Sequence, residues 1–196
     1  DRHIRNLQGF GQTVVVCFNR FAADTDEEIA FCREHCAEMG IGFAVNNAFN
    51  EGGAGAEELA HLVVDTIENK PSAPLQFAYA DEQSIEDKAK AVVQKVYGGK
   101  GVTFTPAAKK MLQKIEELGL SHYPICIAKT QFSFSADQKA YGVPEGFSIA
   151  IRDVVINQGS EFIVLIAGEI LRMPGLPKVP QAEKIDIVNG EIEGLS

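Results

Sequence analysis

The chain has 196 residues, of which 45% are hydrophobic and 23% charged, so it is long enough to form a globular domain around a buried core. Its formal net charge of −9, without any run rich in lysine or arginine, argues against a nucleic-acid-binding surface. The apolar runs reach only about eight residues, far below the roughly 20 that a membrane-spanning helix needs, and the first residues contain no apolar signal segment. We therefore expect a cytoplasmic protein that binds neither membrane nor nucleic acid.

Strands and helices alternate in the first half of the chain. In chain order, the predicted elements are a helix at residues 3–10, a strand at 13–18, a helix between residues 25 and 40, a strand at 43–45 and a helix at 56–68. The run at residues 13–18 is rich in β-branched residues and is typical of a strand covered on both faces. Asp24 or Thr25 caps the helix that follows, its first turn is acidic, and Gly40 ends it.

Charged helices fill the middle of the chain, and strands dominate from residue 147. The predicted elements are a helix at residues 84–96, a turn and short strand at 97–104, a helix at 105–119, and strands at 125–128, 148–156, 161–168 and 184–194. Ser84 and Thr105 are typical N-caps, and Asn189-Gly190 is a two-residue hairpin turn. The pattern predicts an α/β fold: a three-layer, mostly parallel sheet with flanking helices and a β-rich C-terminal extension, in one domain covering residues 1–196.

Four cysteines indicate a reducing compartment. Cys17 and Cys126 lie in apolar, strand-like runs, where a free thiol packs as a small buried hydrophobe. Cys32 and Cys36 are one helical turn apart and have His35 beside them. A metal site is one interpretation, but packing in the core is favoured because zinc sites normally show paired short spacings. We expect no metal and no disulfide.

Two phenylalanines, Phe21 and Phe49, each follow a predicted strand and precede a helix. Ligands collect at the carboxyl ends of strands in an open α/β sheet, and two rings there could hold a flat heterocycle. From the residues alone, packing of both rings against helices is the favoured interpretation. After Phe49, Gly52 and Gly53 precede a helix. Their N–H groups could hold an anion or a ring edge, although a tight turn is favoured and neither phosphate-loop motif is present.

A donor-rich segment, with Lys129, Thr130 and Gln131, directly follows the predicted strand at residues 125–128. A lysine there suits a phosphate or carboxylate of a ligand, while a capped, solvated loop is equally compatible with the pattern.

Two further segments have simple interpretations. Residues 173–180, with three prolines, predict a rigid loop that lines a site or closes a domain edge. Arg152 and Asp153 favour a cross-strand ion pair. Motifs of the GxSxG, HExxH and CxxC type are absent from the sequence, so no catalytic residue is assigned.

Ordered sequence blocks resemble one family along essentially the whole chain. They are HIRNLQGFG, NRF-x2-DTDEEI, GG-x-GAEELA, SIEDKAKAVVQKVYG, YPICIAKTQ, GF-x-I-x-IRD, MPGLP and IDIVNGEIEGL. The blocks are similar to those of formate–tetrahydrofolate ligase, in its C-terminal domain, roughly the last third of the family's much longer chains.

The resemblance implies part of an ATP-dependent ligase that joins formate to tetrahydrofolate through formyl phosphate, giving 10-formyltetrahydrofolate. ATP phosphates and Mg²⁺ are then held by the larger domain of the family, whose phosphate-binding loop has no counterpart in this sequence. The chain alone is therefore expected to be inactive. Implied partners are tetrahydrofolate, formate, ATP, the remaining domains and further copies of the chain.

The resemblance also implies which residues face the folate. In the family the pterin ring stacks on a Phe and a Trp, which match Phe21 and Phe49, so this chain has Phe in place of the Trp and contains no Trp at all. Further candidates for lining the cleft are Asn19, Gly52, Gly53, Lys129, Thr130, Gln131, Pro174, Gly175 and Leu176. The alternative is a stand-alone, non-catalytic module that binds a folate-like heterocycle or a protein partner.

Overall fold

A computed structural model describes residues 1–168, 170 and 178–194 of the chain. The helices are α1 (Arg2–Gly9), α2 (Asp26–Glu38), α3 (Ala48–Glu51), α4 (Glu57–Asn69), α5 (Ile85–Val92) and α6 (Pro106–Glu117). The strands are β1 (Val15–Asn19), β2 (Gly42–Asn46), β3 (Gly101–Phe104), β4 (Ile125–Ala128), β5 (Ser148–Asn157), β6 (Phe162–Ala167), β7 (Asp186–Val188) and β8 (Glu191–Glu193). Strands and flanking helices alternate through most of the chain, and the predicted α/β class is confirmed.

The strands are divided among three sheets. β1 pairs with β2, the second sheet has the order β3-β5-β6-β4, and β7 pairs with β8. Three of the five strand pairings in the described residues are parallel, namely β1–β2, β3–β5 and β4–β6. β5 and β6 come from the segment expected to be a C-terminal extension, yet they form the centre of the second sheet. Of the described strands in that segment, only β7 and β8 lie outside the second sheet.

Each of the two larger sheets has its own hydrophobic cluster. The cluster of the first sheet is formed by Ile29, Cys36, Ile41 and Phe43, with Cys32 partly buried against it. The cluster of the second sheet lies between that sheet, α5 and α6, and is formed by Ile85, Ala89, Val93, Ala108, Leu112, Ile115, Ile149, Ile151, Val154, Ile163, Leu165 and Ala167. Cys32 and Cys36 therefore pack in the core of the first sheet.

The two strand cysteines differ from the prediction. Cys17 in β1 and Cys126 in β4 are both exposed in the described structure. The sequence argument assumed that an apolar run is covered on both faces. In β1, however, Val16 and Phe18 join the first cluster, while Cys17 points to the opposite face because side chains alternate along a strand.

Local capping signals are confirmed at several helix ends. The Thr25 hydroxyl accepts from the Glu28 amide at 3.2 Å, and the Glu28 carboxylate accepts from the Thr25 amide at 2.9 Å. The Thr25 amide and the Thr25 hydroxyl, which both donate to the Glu28 carboxylate, lower the pKa of Glu28. Gly40 and Gly119 have φ values of +70°, as a glycine just beyond a helix end requires. Each signal acts within a few residues, so it can be interpreted without knowledge of the fold.

The helix predicted at residues 84–96 is regular only as far as Val92. It continues as a π-helical turn, Val93–Tyr97, and ends at Gly98 in the left-handed region. The Val96 carbonyl accepts hydrogen bonds from the Arg2 guanidinium at 3.3 Å and the Asn6 amide at 2.9 Å. Side chains of α1 therefore supply the partners of a carbonyl in the widened turn.

One charged side chain, Lys88 of α5, is completely buried. Its ammonium donates to the carbonyl oxygens of Ser121 at 2.7 Å and Tyr123 at 2.9 Å, and lies 5.7 Å from the centre of the Tyr79 ring. The Tyr79 hydroxyl in turn accepts from the Ile125 amide at 3.0 Å. Lys88 and Tyr79 thus fix the segment that leads into β4.

Two predictions about the strand-rich half have different outcomes. Asn189 and Gly190 have positive φ values of 53° and 86°, which confirms the two-residue hairpin turn. The ion pair between Arg152 and Asp153 is wrong for the described residues: Arg152 donates to the Ile170 carbonyl at 3.2 Å, and Asp153 accepts from the Val154 amide. A bulge between Ile151 and Asp153 breaks the register there.

None of the helices in the described part of the chain has the length and apolar character that crossing a bilayer requires.

Candidate functional site

The loops beyond β1 and β2 enclose a cleft of about 410 Å³. Its lining is formed by Asn19, Arg20, Phe21, Ala22, Asn46, Phe49 and Asn50. β1 and β2 are parallel and Asn19 is paired with Asn46, so both loops leave the same edge of the sheet. Phe21 is 70% exposed and Phe49 is 98% exposed. Packing of both rings against helices, favoured by the residues alone, is therefore wrong, and the two rings line one cleft together with Asn19.

A short, tightly bonded turn positions Phe21. The Phe21 amide donates to the Asp24 carboxylate at 2.7 Å, and the Asp24 amide donates back to the Phe21 carbonyl at 3.1 Å. The Arg20 amide donates to the Asn46 carbonyl at 3.0 Å, which ties this turn to the end of β2. The Arg20 guanidinium pairs with Asp26 at 2.9 Å. Phe21 is exposed, but its backbone is held at both ends of the turn.

Phe49 lies on the four-residue helix α3, which hydrogen bonds from Asn47 stabilise. The Asn47 side chain donates to the Glu51 carboxylate at 2.7 Å and accepts from the Asn50 amide group at 2.8 Å. The Asn47 amide donates to the Gly55 carbonyl at 2.9 Å and so closes the loop. The glycine-rich segment forms a 3-10 turn, Gly52–Ala56, which matches the tight turn that the sequence favoured.

The loop requires glycine at position 55, because the backbone of Asn47 leaves no room for a side chain there. A Cβ atom at residue 55 would lie 2.5 Å from the carbonyl carbon and oxygen of Asn47. We expect Gly55→Ala to destabilise the chain by about 1–3 kcal/mol, because backbone atoms must move to relieve the overlap. Urea unfolding followed by circular dichroism measures this loss.

Gly53→Ala is the matched control for that prediction. No atom lies within 4 Å of a Cβ at residue 53, and Gly53 does not have a positive φ. Its replacement is expected to change stability by less than about 0.5 kcal/mol. Equal losses in the two variants would contradict the proposed contact between Gly55 and Asn47.

Amide side chains form most of the polar lining of the cleft. The Asn46 side chain donates to the Asn19 side-chain oxygen at 3.0 Å and accepts from the Ala48 amide at 3.1 Å. Asn46 and Asn50 were not singled out in the sequence, although both lie within three residues of Phe49 in the segment NNAFN. Their relation to Asn19 depends on the pairing of β1 with β2, which no local pattern reveals.

Lys129, Thr130 and Gln131 line a different cleft of about 330 Å³, which also contains Tyr97 and shares no lining residue with the first. The Lys129 ammonium donates to the carbonyl oxygens of Thr130, at 3.2 Å, and Ser133, and lies 4.7 Å from the centre of the Tyr97 ring. Burial lowers the pKa of Lys129. Within the described residues no carboxylate forms an ion pair with it.

The remaining candidates are two glycines and three residues of the proline-rich segment. Gly52 and Gly53 lie in the 3-10 turn that follows Phe49 and do not line the cleft in the described structure. Pro174, Gly175 and Leu176 lie outside the described residues. Among the described residues, no group of three or more His, Cys, Asp or Glu side chains could hold a metal ion.

Comparison with known proteins identifies the family. A family model described as formate–tetrahydrofolate ligase matches residues 1–196. The chain is 63% identical to a formate–tetrahydrofolate ligase of Parabacteroides distasonis, 60% to one of Bacteroides fragilis and 55% to one of Porphyromonas gingivalis. Each match covers 100% of this chain and 35% of the relative, so the chain spans about a third of the length of these curated relatives. The chain belongs to the formate–tetrahydrofolate ligase family.

Proposed function

We propose that this chain is the folate-facing C-terminal domain of an ATP-dependent ligase that joins formate to tetrahydrofolate to give 10-formyltetrahydrofolate. Residues 1–196 act in this proposal as one α/β domain, and Phe21 and Phe49 hold the pterin ring. The family of the chain supports the reaction class. The cleft beyond β1 and β2 supports the role of this part of the enzyme.

The exposure of Phe21 and Phe49 on one cleft is the observation that carries the proposal. Apolar surface in water is unfavourable by about 25 cal/mol per Å², so two exposed rings favour a ligand that covers them. Aromatic faces bind flat rings by offset stacking, beyond the effect of area alone. A pterin ring offers such faces, and its polar edge suits the amides of Asn19, Asn46 and Asn50 that line the same cleft.

The described residues contain no phosphate-binding loop that would hold ATP. The glycines of Gly52–Ala56 form a turn that closes onto Asn47, and no lysine follows them as in a phosphate-binding loop. Lys129 directs its ammonium at two backbone carbonyls. We therefore assign no step of ATP chemistry to this chain, and propose that the rest of the longer protein binds the phosphates and Mg²⁺.

The cleft of Lys129, Thr130 and Gln131 is proposed as a secondary contact region for an anionic group of the ligands or for the rest of the enzyme. Two of the three N–H groups of the Lys129 ammonium have carbonyl acceptors, and the third has no acceptor among the residues that the structure describes. A partly buried cation without a carboxylate partner favours the approach of an anion.

The test is an assay of the protein at its full natural length with formate, tetrahydrofolate, ATP and Mg²⁺. We expect 10-formyltetrahydrofolate to appear, together with one ADP for each formyl group transferred. Calorimetric titration with tetrahydrofolate in the absence of ATP should show binding that depends on Phe21 and Phe49. Binding without any product would favour the alternative of a non-catalytic folate-binding module, and the absence of both would refute the proposal.

A further inference from the structure

Three amide side chains line the cleft of Phe21 and Phe49, and the one charged lining residue among those that the structure describes is held in an ion pair. Asn19, Asn46 and Asn50 contribute the amides, and the Arg20 guanidinium pairs with Asp26 at 2.9 Å. A ring between the phenylalanines therefore presents its edge to neutral donors and acceptors. The pattern of those donors and acceptors decides which ring edge fits.

The orientation of the Asn19 amide follows from a chain of hydrogen bonds that begins at the backbone. The Ala48 amide can only donate, so the atom of Asn46 that it meets at 3.1 Å is the side-chain oxygen. The Asn46 nitrogen then faces Asn19 at 3.0 Å and requires an acceptor, which must be the Asn19 oxygen. The Cys17 thiol, 3.6 Å away, donates to the same oxygen.

The Asn19 side-chain nitrogen is consequently the outward atom. It has no hydrogen-bond partner among the residues that the structure describes, whereas the oxygen of the same amide has two donors. Asn19 therefore presents two N–H donors and no acceptor on the side away from Asn46. A ring edge that meets these donors must carry an acceptor, because a second donor there would leave both groups without a partner.

We propose that Asn19 is a specificity-determining residue that donates to the 4-oxo oxygen of the pterin ring, so that the cleft selects 4-oxo over 4-amino pterins. The inference rests on the proposed function, since it takes the pterin as the ligand of this cleft. The carbonyl oxygen is the strongest acceptor of the pyrimidinone ring and can accept one of the two N–H groups. In a 4-amino analogue, an amino donor replaces that oxygen and faces the donors of Asn19.

The test compares tetrahydrofolate with its 4-amino analogue by calorimetric titration of the protein at its full natural length. We expect the wild-type protein to bind tetrahydrofolate at least about tenfold more tightly than the analogue, since one donor-to-donor contact typically has an effect of this size. Asn19→Asp keeps an oxygen toward Asn46 and exchanges the outward donor for an acceptor. We expect this variant to lose or reverse the preference.

Ala22→Asp controls for the added charge, because Ala22 lines the same cleft and takes no part in the amide chain. It should change both affinities by the same factor and keep the wild-type ratio. Asn19→Ala, which removes the donors without adding charge, should bring the ratio close to one. Circular dichroism melting of each variant shows whether it is folded.

The outcomes separate the inference from the proposed function. A wild-type ratio that persists in both Asn19→Asp and Asn19→Ala overturns the role of Asn19, although the pterin still binds. A wild-type protein without preference between the two ligands overturns it as well. If neither ligand binds the wild-type protein at millimolar concentration, the proposed pterin site itself fails, and the inference fails with it.

Discussion

Replacing Lys88 with alanine is expected to lower the free energy of unfolding by about 3–5 kcal/mol, the largest effect on stability that we anticipate for a single residue. The side chain is completely buried, and its ammonium donates hydrogen bonds to the carbonyl oxygens of Ser121 and Tyr123. Alanine would leave both oxygens without a donor and would open a cavity the size of the lysine side chain. Denaturant unfolding followed by circular dichroism measures the loss.

Lys88→Met is the matched variant. Methionine keeps most of the buried volume but cannot donate, so we expect a smaller loss of about 1–3 kcal/mol from the unpaired carbonyl oxygens. The difference between Lys88→Ala and Lys88→Met then measures packing. A loss below about 1 kcal/mol in Lys88→Ala would show that the buried ammonium contributes little to the fold.

The burial of Lys88 also predicts that the free energy of unfolding depends on pH. Burial lowers the pKa of Lys88 below its ordinary value of 10.5, while the charges of Asp81 and Glu82 act in the opposite direction. Between the lowered native pKa and 10.5, the unfolded chain binds more protons than the folded chain, so stability rises with pH in that window. The free energy of unfolding of the wild type, compared with that of Lys88→Met, should therefore increase as the pH rises toward 10.5.

Replacing Phe21 with alanine is expected to weaken tetrahydrofolate binding by about 1–3 kcal/mol, a loss of roughly fivefold to 150-fold in affinity. The ring is 70% exposed, so its removal takes away stacking surface without opening a core cavity. Calorimetric titration of the protein at its full natural length measures the change.

We expect Phe49→Trp to strengthen tetrahydrofolate binding in the same titration, because an indole ring offers a larger stacking face and an N–H donor.

Phe31→Ala is the control for both variants. Phe31 is 71% exposed, close to the 70% of Phe21, but it lies on α2 and stacks on His35, outside the cleft. Its replacement should leave the affinity for tetrahydrofolate unchanged. If Phe21→Ala binds as tightly as Phe31→Ala, the phenylalanine pair does not hold the pterin, and another surface of the protein must do so.

Much of the local structure could be predicted because its causes lie within a few residues. Thr25 with Glu28, Thr105 with Pro106, and Asn189 with Gly190 each carry the donors, acceptors or backbone freedom that their helix end or turn requires. The division of the strands into three sheets had no such local sign. It depends on which strand edges pair, and pairing joins residues far apart in the chain.

Several side chains show the same limit. Lys88 is buried although its side chain is charged, and Cys17 is exposed although it lies in an apolar run. The outcome at Lys88 depends on the carbonyls of Ser121 and Tyr123, and that at Cys17 on which face of β1 is covered. The groups that decide the burial of these two side chains lie too far away in the sequence to be identified from the local pattern.

The residues alone predict the alternation of helices and strands, the helix caps and turns, the resemblance to formate–tetrahydrofolate ligase, and the location of Phe21 and Phe49 just beyond two strands. The folded structure was needed to show that these rings line one cleft, that Asn46 fixes the direction of the Asn19 amide, and that Lys129 faces carbonyls in a separate cleft. The difference follows from the range of the interactions. Caps and turns are satisfied within one turn of backbone, whereas a site is assembled by strand register and packing between distant segments.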